Sequence, residues 1–405
     1  MLWLIKDRIM FGGTFMLKLI KNGKVYSPTY LGKKDILIVG DKIGYIVDNL
    51  QVPEDFVHME IIDAKGKYVV PGFIDSHVHI SGGGGEGGFK TRTPEIQLTD
   101  ITLGGVTTVV GVLGTDGTTR NGGNLLAKAR GLEEEGITTY MYTGSYQVPT
   151  RTITGSVLDD IVLIDKVIGA GEIAMSDHRS SQPRVDELAK LVADARVGGI
   201  LSGKAGVVNI HMGDGERQLD FIEEIVENTE IPITQFIPTH MNRNGSLFKR
   251  AIEFGKNGGI IDFTTSTTKK FLEEGETKCS KALKIALEEG VSGNNITFSS
   301  DGQGSLPEFN EKGEFIGIGI GKVTSLYSEV KDAIVSENIP MEKALRVITA
   351  NPADILKLKD KGYIEKGKDA DIVLLDEDTF EIDTVIARGQ VMIKNKEVVV
   401  KGTFE

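Results

Sequence analysis

VVPGFIDSHVH, which spans residues 69–79, joins an apolar strand-like run to a pair of histidines. Side chains two positions apart in a strand point to the same side. His77 and His79 are therefore expected to project together from the end of one strand. Two imidazoles placed in this way can bind a single divalent metal ion. The stretch predicts a strand that carries half of a metal site.

The composition is that of a globular protein and excludes several classes. The chain has 405 residues, of which 40% are hydrophobic and 26% charged. Its 46 basic and 58 acidic residues give a net charge of −12, which disfavours nucleic acid or an anionic membrane as the main partner. The single cysteine, Cys279, excludes an intramolecular disulfide, a cysteine-rich zinc site and an iron–sulfur cluster, and is expected to pack rather than react. No apolar run reaches the ~18 residues of a membrane span.

The middle of the chain alternates strand-like runs with amphipathic stretches. The eight candidate strands are spaced by about 24 to 36 residues. They centre on Ile74, Thr107, Tyr140, Ile173, Ile210, Ile237, Ile261 and Thr297. A βα unit repeated eight times predicts an α/β fold, a (β/α)8 TIM-type barrel over residues 71–360. A doubly wound open sheet is the main alternative, and the strand count favours the barrel.

The two ends of the chain share a different texture. Residues 16–70 and 361–405 contain short alternating runs bounded by Gly, Asn and Asp, which are typical of antiparallel strands. We expect one small β-sandwich domain built from both ends. Residues 1–15 are expected to be an N-terminal extension, because a cleaner strand-like run begins at Met16. Lys6, Asp7 and Arg8 interrupt the apolar stretch too early for a secretory signal. The predicted location is therefore cytoplasmic.

Four of the six histidines fall where a barrel would place its chemistry. Active residues of such barrels lie at the carboxyl ends of the strands. His211 and His240 end the fifth and sixth candidate strands, and Asp301 follows the eighth. Together with the pair after the first strand, they predict a metal centre. His178 follows the fourth strand, where a supporting role and a purely structural role are both open, and His58 is assigned no function.

Longer motifs extend this picture to a family. VVPGFIDSHVH, NPADIL and GKDADIVLLD resemble the amidohydrolase superfamily. HVHISGGGGEGG, TGSYQVPTRTITGSV, SDHRSSQP, HMGDG, PTHMNRN and SSDGQGS resemble, more narrowly, its isoaspartyl dipeptidases, along residues 16–405. The resemblance implies a homo-oligomeric hydrolase that cleaves β-aspartyl dipeptides, small-molecule substrates, and releases aspartate.

The resemblance also implies two divalent metal ions, most commonly Zn²⁺. His77 and His79 with Asp301 would bind one, and His211 with His240 the other. The family usually bridges them with a carboxylated lysine at the end of strand four, but this sequence has Glu172 there, and Lys166 lies in a helical pattern. Glutamate is shorter, so the end of that strand must lie nearer the metals or be rebuilt. The stretch GAGE is one residue longer than the family pattern, which would supply such a change.

Roles follow from the same resemblance. A hydroxide that bridges the metals would attack the substrate carbonyl, with Asp301 as general base and acid and Tyr146 as hydrogen-bond donor to the oxyanion. Glu86 would pair with the substrate ammonium, and arginines suit carboxylates. The expected substrate-binding residues are Gly84, Glu86, Thr115, Arg179, Arg243 and Ser305.

Two other functions remain open on the sequence. A cyclic-amide hydrolase, similar to dihydroorotase or hydantoinase, would share the metals without requiring Glu86, Arg179 and Arg243 as a set. A non-catalytic assembly protein on the same scaffold would be expected to lose metal ligands, whereas all of them are present here.

Overall fold

The computed structural model describes residues 10–11, 14–15, 17–52, 59–310 and 315–405. Most of the expected extension, residues 1–15, and His58 lie outside the described residues. Within the described ranges, no helix combines the length and the apolar character needed to cross a membrane.

Strands and helices follow one another along the chain as follows. The strands are β1 (Met10–Phe11), β2 (Thr14–Phe15), β3 (Leu17–Tyr26), β4 (Tyr30–Val39), β5 (Lys42–Val47), β6 (Glu60–Asp63), β7 (Lys67–Pro71), β8 (Phe73–Val78), β9 (Val106–Gly111), β10 (Thr138–Thr143), β11 (Val167–Met175), β12 (Val207–Met212), β13 (Phe236–Thr239), β14 (Ile261–Thr264), β15 (Ile296–Ser299), β16 (Ser305–Phe309), β17 (Phe315–Ile320), β18 (Ile372–Asp376), β19 (Ile382–Ala387), β20 (Gln390–Lys394) and β21 (Glu397–Val398). The α-helices are α1 (Leu98–Thr102), α2 (Gly122–Glu134), α3 (Val157–Leu163), α4 (Val185–Ser202), α5 (Asp220–Asn228), α6 (Gly245–Lys256), α7 (Lys269–Glu273), α8 (Cys279–Glu288), α9 (Ser325–Val335), α10 (Met341–Arg346) and α11 (Ala350–Ile355).

The eight strands β8 to β15 form the centre of the molecule. β8 to β13 make one parallel sheet in which each strand pairs with its neighbours in sequence, and β14 pairs with β15. The pair meets the sheet at both edges: Met241 N–H donates to the Asp262 carbonyl at 3.1 Å, and Asp301 N–H donates to the His77 carbonyl at 3.2 Å. All eight predicted strand centres lie in these strands. The predicted alternation of strands and helices is confirmed. The strands form a curled half-barrel, β8 to β13, which the pair β14 and β15 extends.

The strands of this sheet are apolar because helices cover them. β9 (VTTVVG) and β12 (VVNIHM) are buried along their whole length. Strands buried on both faces have continuous rather than alternating apolar runs. In α4 the residues that recur at helical spacing are buried, namely Leu188, Leu191, Val192 and Ala195. The side chains with chemistry are thereby left at the carboxyl ends of the strands.

A second sheet combines the two ends of the chain, as expected. It has nine strands, β3 to β7 and β18 to β21. β7 is central, because it pairs with β3 on one side and β18 on the other and leads directly into β8. Apolar side chains of both ends share one core, in which Ile36 and Ile38 join Ile372 and Leu374.

Candidate metal centre and active site

His77 and His79 meet Asp301 at the end of β8. Oδ1 of Asp301 lies 2.9 Å from Nε2 of His79 and 3.6 Å from Nε2 of His77. Asp301 has a left-handed φ of 54°, a conformation that non-glycine residues rarely adopt. Such backbone conformations are common at functional sites. The structure thus brings together the three residues expected at the first metal.

Glu172 reaches the same cluster through a bulge in β11. Ala170 pairs with Val208 and Ile173 with Ile210, so three steps along β11 match two along β12. One strand therefore contains an extra residue, which bends it and re-aims a side chain. The bulge lies at Glu172 itself, so it changes the direction of the strand end that carries this side chain.

The two oxygens of Glu172 face two different pairs of histidines. Oε1 lies 2.7 Å from Nδ1 of His211 and 3.3 Å from Nε2 of His240. Oε2 lies 3.5 Å from Nε2 of His77 and 3.9 Å from Nε2 of His79. The carboxylate thus stands between the histidines of the two expected metal positions.

Polar side chains that sequence reasoning missed contact the other ring nitrogen of three of the four histidines. The contacts join His77 Nδ1 to Asn209 Oδ1 at 3.1 Å, His240 Nδ1 to Thr264 Oγ1 at 2.6 Å, and His211 Nε2 to Asp177 Oδ2 at 3.0 Å. Partners of this kind orient metal-binding imidazoles. A signal for one of them was available, since Asn209 precedes His211 by two positions in β12 and so points to the same side.

The charges in the cluster suit a cation. Burial acts to lower the pKa of His77, but Glu172 and Asp301 outweigh it and raise that pKa to about 9. Burial lowers the pKa of His240 to about 3. For Asp301, burial is outweighed by contact with His79, and the pKa falls to about 2. Both carboxylates are therefore ionised at neutral pH, because the pKa of Glu172 is also held well below its usual value by His77 and His211 despite burial.

The donor atoms fit divalent metal ions. His77 Nε2 and Glu172 Oε2 are buried and have no hydrogen-bond partner among the described residues. Leaving such atoms unsatisfied is costly, and a bound cation would satisfy them. Ligand atoms lie within 4.8 Å of one another in two groups, His77–His79–Asp301 and His77–Glu172–His240. His211 belongs to neither group, but its Nδ1 contacts Glu172 directly.

Four of the expected substrate-binding residues meet at one carboxylate. Oε1 of Glu86 accepts hydrogen bonds from Thr115 Oγ1 at 3.0 Å and from Arg179 Nη1 at 3.4 Å. Oε2 accepts from Ser305 Oγ at 3.4 Å, across 219 positions of sequence. Glu86 is partly exposed, so these contacts can be exchanged for contacts to a ligand.

Tyr146 lies buried beside the cluster. Its hydroxyl oxygen lies 2.9 Å from Nδ1 of His211, and the guanidinium of Arg179 lies 5.2 Å from its ring. Burial raises the pKa of Tyr146 well above its usual value, and Glu172 adds to this effect. Tyr146 is therefore a neutral phenol at neutral pH and can act as a hydrogen-bond donor beside His211.

Gly84 and Arg243 lie near the same opening. Gly84 has a φ of 70°, and a Cβ there would lie 2.5 Å from the carbonyl oxygen of Thr91, so only glycine fits. Arg243 has its Nη1 3.9 Å from Asp214 Oδ2 rather than at Glu86. Its backbone N–H nevertheless donates to the carbonyl oxygen of His240 at 3.0 Å, which places Arg243 close to the cluster.

His178 and Cys279 are not part of the candidate site. The side chain of His178 is 90% exposed and its nearest charged neighbour is Asp177, so it is not part of the metal cluster. Cys279 is buried with its Sγ 2.9 Å from the carbonyl oxygen of Thr264, a packing position, and burial raises its pKa well above the usual value.

Comparison with known proteins assigns the class. The amidohydrolase family model matches residues 68–392, and the chain belongs to the amidohydrolase family. Within it, the chain is similar to the β-aspartyl dipeptidase of the thermophilic, keratin-degrading Fervidobacterium islandicum AW-1, solved in complex with the β-Asp-Leu dipeptide. The two are 49% identical, with a TM-score of 0.88, over 95% of this chain and 97% of that one. Both parts of the resemblance drawn from the motifs are thus confirmed.

More distant relatives share the fold. The dihydroorotase of Aquifex aeolicus is 27% identical over 89% of this chain and 90% of its own length. A D-hydantoinase structure has a TM-score of 0.67 at 19% identity, over 95% of this chain and 97% of that one, and shows the fold alone.

Proposed function

We propose that this chain is a metal-dependent β-aspartyl dipeptidase, a hydrolase that releases aspartate from β-aspartyl dipeptides. The proposal rests on the position of Glu86 and its hydrogen-bond partners, the Glu86 group (Glu86, Thr115, Arg179 and Ser305), next to the histidine cluster. Arg179 belongs to both, since its Nη1 contacts Glu86 and its Nη2 lies 3.1 Å from Nε2 of His211. The likeness to a dipeptidase that binds β-Asp-Leu supports the same substrate class.

The cofactors of this proposal are two divalent metal ions, with zinc preferred for a set of imidazoles and carboxylates. His77, His79 and Asp301 would hold one, His211 and His240 the other, and Glu172 would contribute one oxygen to each. When bound, such a pair supplies a nucleophile from water at neutral pH and polarises the scissile carbonyl.

Asp301 would act as the general base and then as the general acid. It is ionised at neutral pH, so it can accept the proton of the attacking water. As the C–O bond forms and the C–N bond breaks, the same proton would pass to the leaving amine nitrogen. Tyr146 would donate a hydrogen bond to the oxyanion, as a buried neutral phenol whose hydroxyl already points toward His211.

Substrate selection would come from charge. Glu86 would exchange its present partners for the α-ammonium of the aspartyl residue, and Gly84 would let the backbone approach the ligand. Arg179 and Arg243 would bind the two carboxylates, with Thr115 and Ser305 at the edge of the group. A peptide without the ammonium would leave Glu86 without its charged ligand, which such sites penalise strongly.

The architecture and setting complete the proposal. We expect β8 to β15 to close into a (β/α)8 barrel over residues 71–360, with residues 16–70 and 361–405 as a separate β-sandwich domain and residues 1–15 as an extension. A homo-oligomer in the cytoplasm, with a small-molecule substrate and without nucleic acid or membrane partners, remains our prediction.

A cyclic-amide hydrolase is the second candidate. The dihydroorotase likeness over most of both chains favours it. It does not account for the Glu86 group, because a cyclic amide has no ammonium for that carboxylate. The complete set of ligands speaks against a non-catalytic assembly protein.

The test is substrate comparison on zinc-loaded protein. β-Asp-Leu, α-Asp-Leu, dihydroorotate and a hydantoin are incubated in parallel, and free aspartate and ring opening are measured. We expect aspartate from β-Asp-Leu, its loss in Asp301→Ala, and an unchanged rate in the exposed control Asp186→Asn. Faster turnover of dihydroorotate or hydantoin would establish the cyclic-amide function. No release of aspartate by the parent chain, or equal rates in Asp301→Ala and the parent, would refute the dipeptidase.

A further inference from the structure

Asp177 has no role in the function proposed above. It nevertheless lies buried between two residues that have such a role, His211 and Arg179. Its Oδ2 lies 3.0 Å from Nε2 of His211. The same carboxylate accepts hydrogen bonds from Nε of Arg179 at 2.9 Å and from Nη2 at 2.7 Å. One side chain thus contacts a proposed metal ligand and a proposed substrate-binding cation at once.

We propose that Asp177 is a positioning residue that orients His211 toward the metal and Arg179 toward the substrate. The inference rests on the proposed function for the role of Arg179. Its part at His211 depends only on metal binding.

Asp177 determines which ring nitrogen of His211 carries the proton. Nδ1 of His211 faces the cluster, 2.7 Å from Oε1 of Glu172. For Nδ1 to offer a lone pair to a cation, the ring proton must lie on Nε2. Asp177 accepts that proton, whereas the neighbouring Nη2 of Arg179 is only a donor. Asp177 therefore selects the tautomer in which His211 can bind a metal.

Asp177 also fixes the orientation of Arg179. Asp177 grips one edge of the guanidinium through two hydrogen bonds, a geometry that also fixes its plane. The remaining Nη1 then points to Glu86 at 3.4 Å, toward the proposed substrate position. Without Asp177 the side chain would be free to turn away from that position.

Tight packing of the backbone holds Asp177 in this position. A Cβ on Gly213 would lie 2.5 Å from Cβ of Asp177 and 2.4 Å from the carbonyl oxygen of Ser176. Ser176 itself has a left-handed φ of 53°. The two loops after β11 and β12 are therefore pressed together, with glycine required at the contact. This assigns a purpose to the first glycine of the HMGDG motif.

The experiment compares Asp177→Asn with Asp186→Asn. Asp186 also pairs with an arginine, at 3.3 Å from Nη2 of Arg184, but on the exposed surface. Zinc affinity is measured by competition with a chelator, zinc content by elemental analysis, and KM and kcat with β-Asp-Leu. We expect Asp177→Asn to weaken zinc binding about 10- to 100-fold and to raise KM at least about 10-fold. The control should match the parent in both.

Two additions keep the outcome decisive. If Asp177→Asn does not fold, as judged by circular dichroism, the same measurements are made on Asp177→Glu, which keeps the charge but moves its oxygens. In an Arg179→Lys background, Asp177→Asn should raise KM much less, because the shared partner is already altered. Parent-like zinc affinity, or a parent-like KM, in a folded Asp177 variant would overturn the proposal. A parent chain that binds zinc but leaves β-Asp-Leu intact would refute the dipeptidase, while zinc affinity would still decide the role at His211.

Discussion

Oε1 of Glu172 lies 2.7 Å from Nδ1 of His211. The two residues belong to neighbouring strands, β11 and β12, whose pairing register shifts at Glu172. The bulge in β11 makes this contact possible, because it adds one residue opposite β12. We therefore propose that Glu172 takes the bridging position for which the resemblance implied a longer, carboxylated lysine.

The proposed bridging of the two metal ions by Glu172 can be tested by removing the negative charge of its side chain. Glu172→Gln should lower the metal content and reduce kcat by more than about 100-fold, since even partners outside the metal shell cost 10- to 100-fold. Bicarbonate should not restore Glu172→Ala, because no lysine is available there to be carboxylated. The exposed Glu216→Gln is the control. An unchanged rate in Glu172→Gln would mean that another group bridges the metals.

Glu86 should control recognition of the ammonium. A hydrogen bond to a charged group contributes about 1.5–3 kcal/mol, so Glu86→Gln should raise KM by about 10- to 100-fold with a smaller effect on kcat. N-acetyl-β-Asp-Leu should be a poor substrate for the parent, and its turnover should be nearly the same in the variant. Glu95→Gln, on the surface beside Lys128, should behave as the parent. Equal KM values for Glu86→Gln and the parent would contradict the assignment.

Tyr146 should act on the rate rather than on binding. Tyr146→Phe keeps the ring beneath Arg179 and removes only the hydroxyl that points to His211. The loss of one oxyanion donor typically costs 10²- to 10³-fold in kcat, so we expect about that decrease with KM little changed. Tyr45→Phe, an exposed position, is the control. A rise in KM at constant kcat would instead place Tyr146 in ground-state binding.

A buried ion network should set the stability of the junction between the two sheets. Lys361 Nζ lies 2.6 Å from Asp371, 2.7 Å from Asp369 and 2.5 Å from Thr138 of β10. Lys361→Met would leave the buried Asp371 without its cation, while Asp369 keeps Lys42 at 2.6 Å. The change should lower the free energy of unfolding at pH 7 by about 3–5 kcal/mol, measured by denaturant titration. Lys269→Met, whose side chain is exposed, should change it little. A similar loss in both variants would contradict the prediction.

The same network predicts a pH dependence. Burial acts to lower the pKa of Lys361, but Asp371 and Asp369 raise it, so its stabilisation is complete below the unfolded pKa of ~10.4 and is lost at higher pH. Burial acts to raise the pKa of Asp369, but Lys361 lowers it, so that contribution is present above ~3.9 and is lost as the pH falls. The stability difference between the parent and Lys361→Met should therefore shrink at both extremes of pH.

Part of the active site was predictable because it follows local periodicity. His77 and His79 alternate along one strand, and His211, His240 and Asp301 each end a strand, so the expected barrel topology predicts that they meet. Asn209 obeyed the same rule and was overlooked. Asp177 lies in the SDHRSSQP motif, but no local pattern shows that its carboxylate lies between Arg179 and His211.

By itself, the sequence determined the eight strands, the sheet built from both ends and the clustering of the histidines with Asp301, because apolar periodicity and turn residues act over a few positions. Only the tertiary structure decided how Glu172 reaches both histidine pairs and that Glu86 meets Ser305 across 219 positions. These contacts depend on a register shift and on the packing of loops. Both are set by the summed interactions of distant segments and leave no periodic trace in the chain.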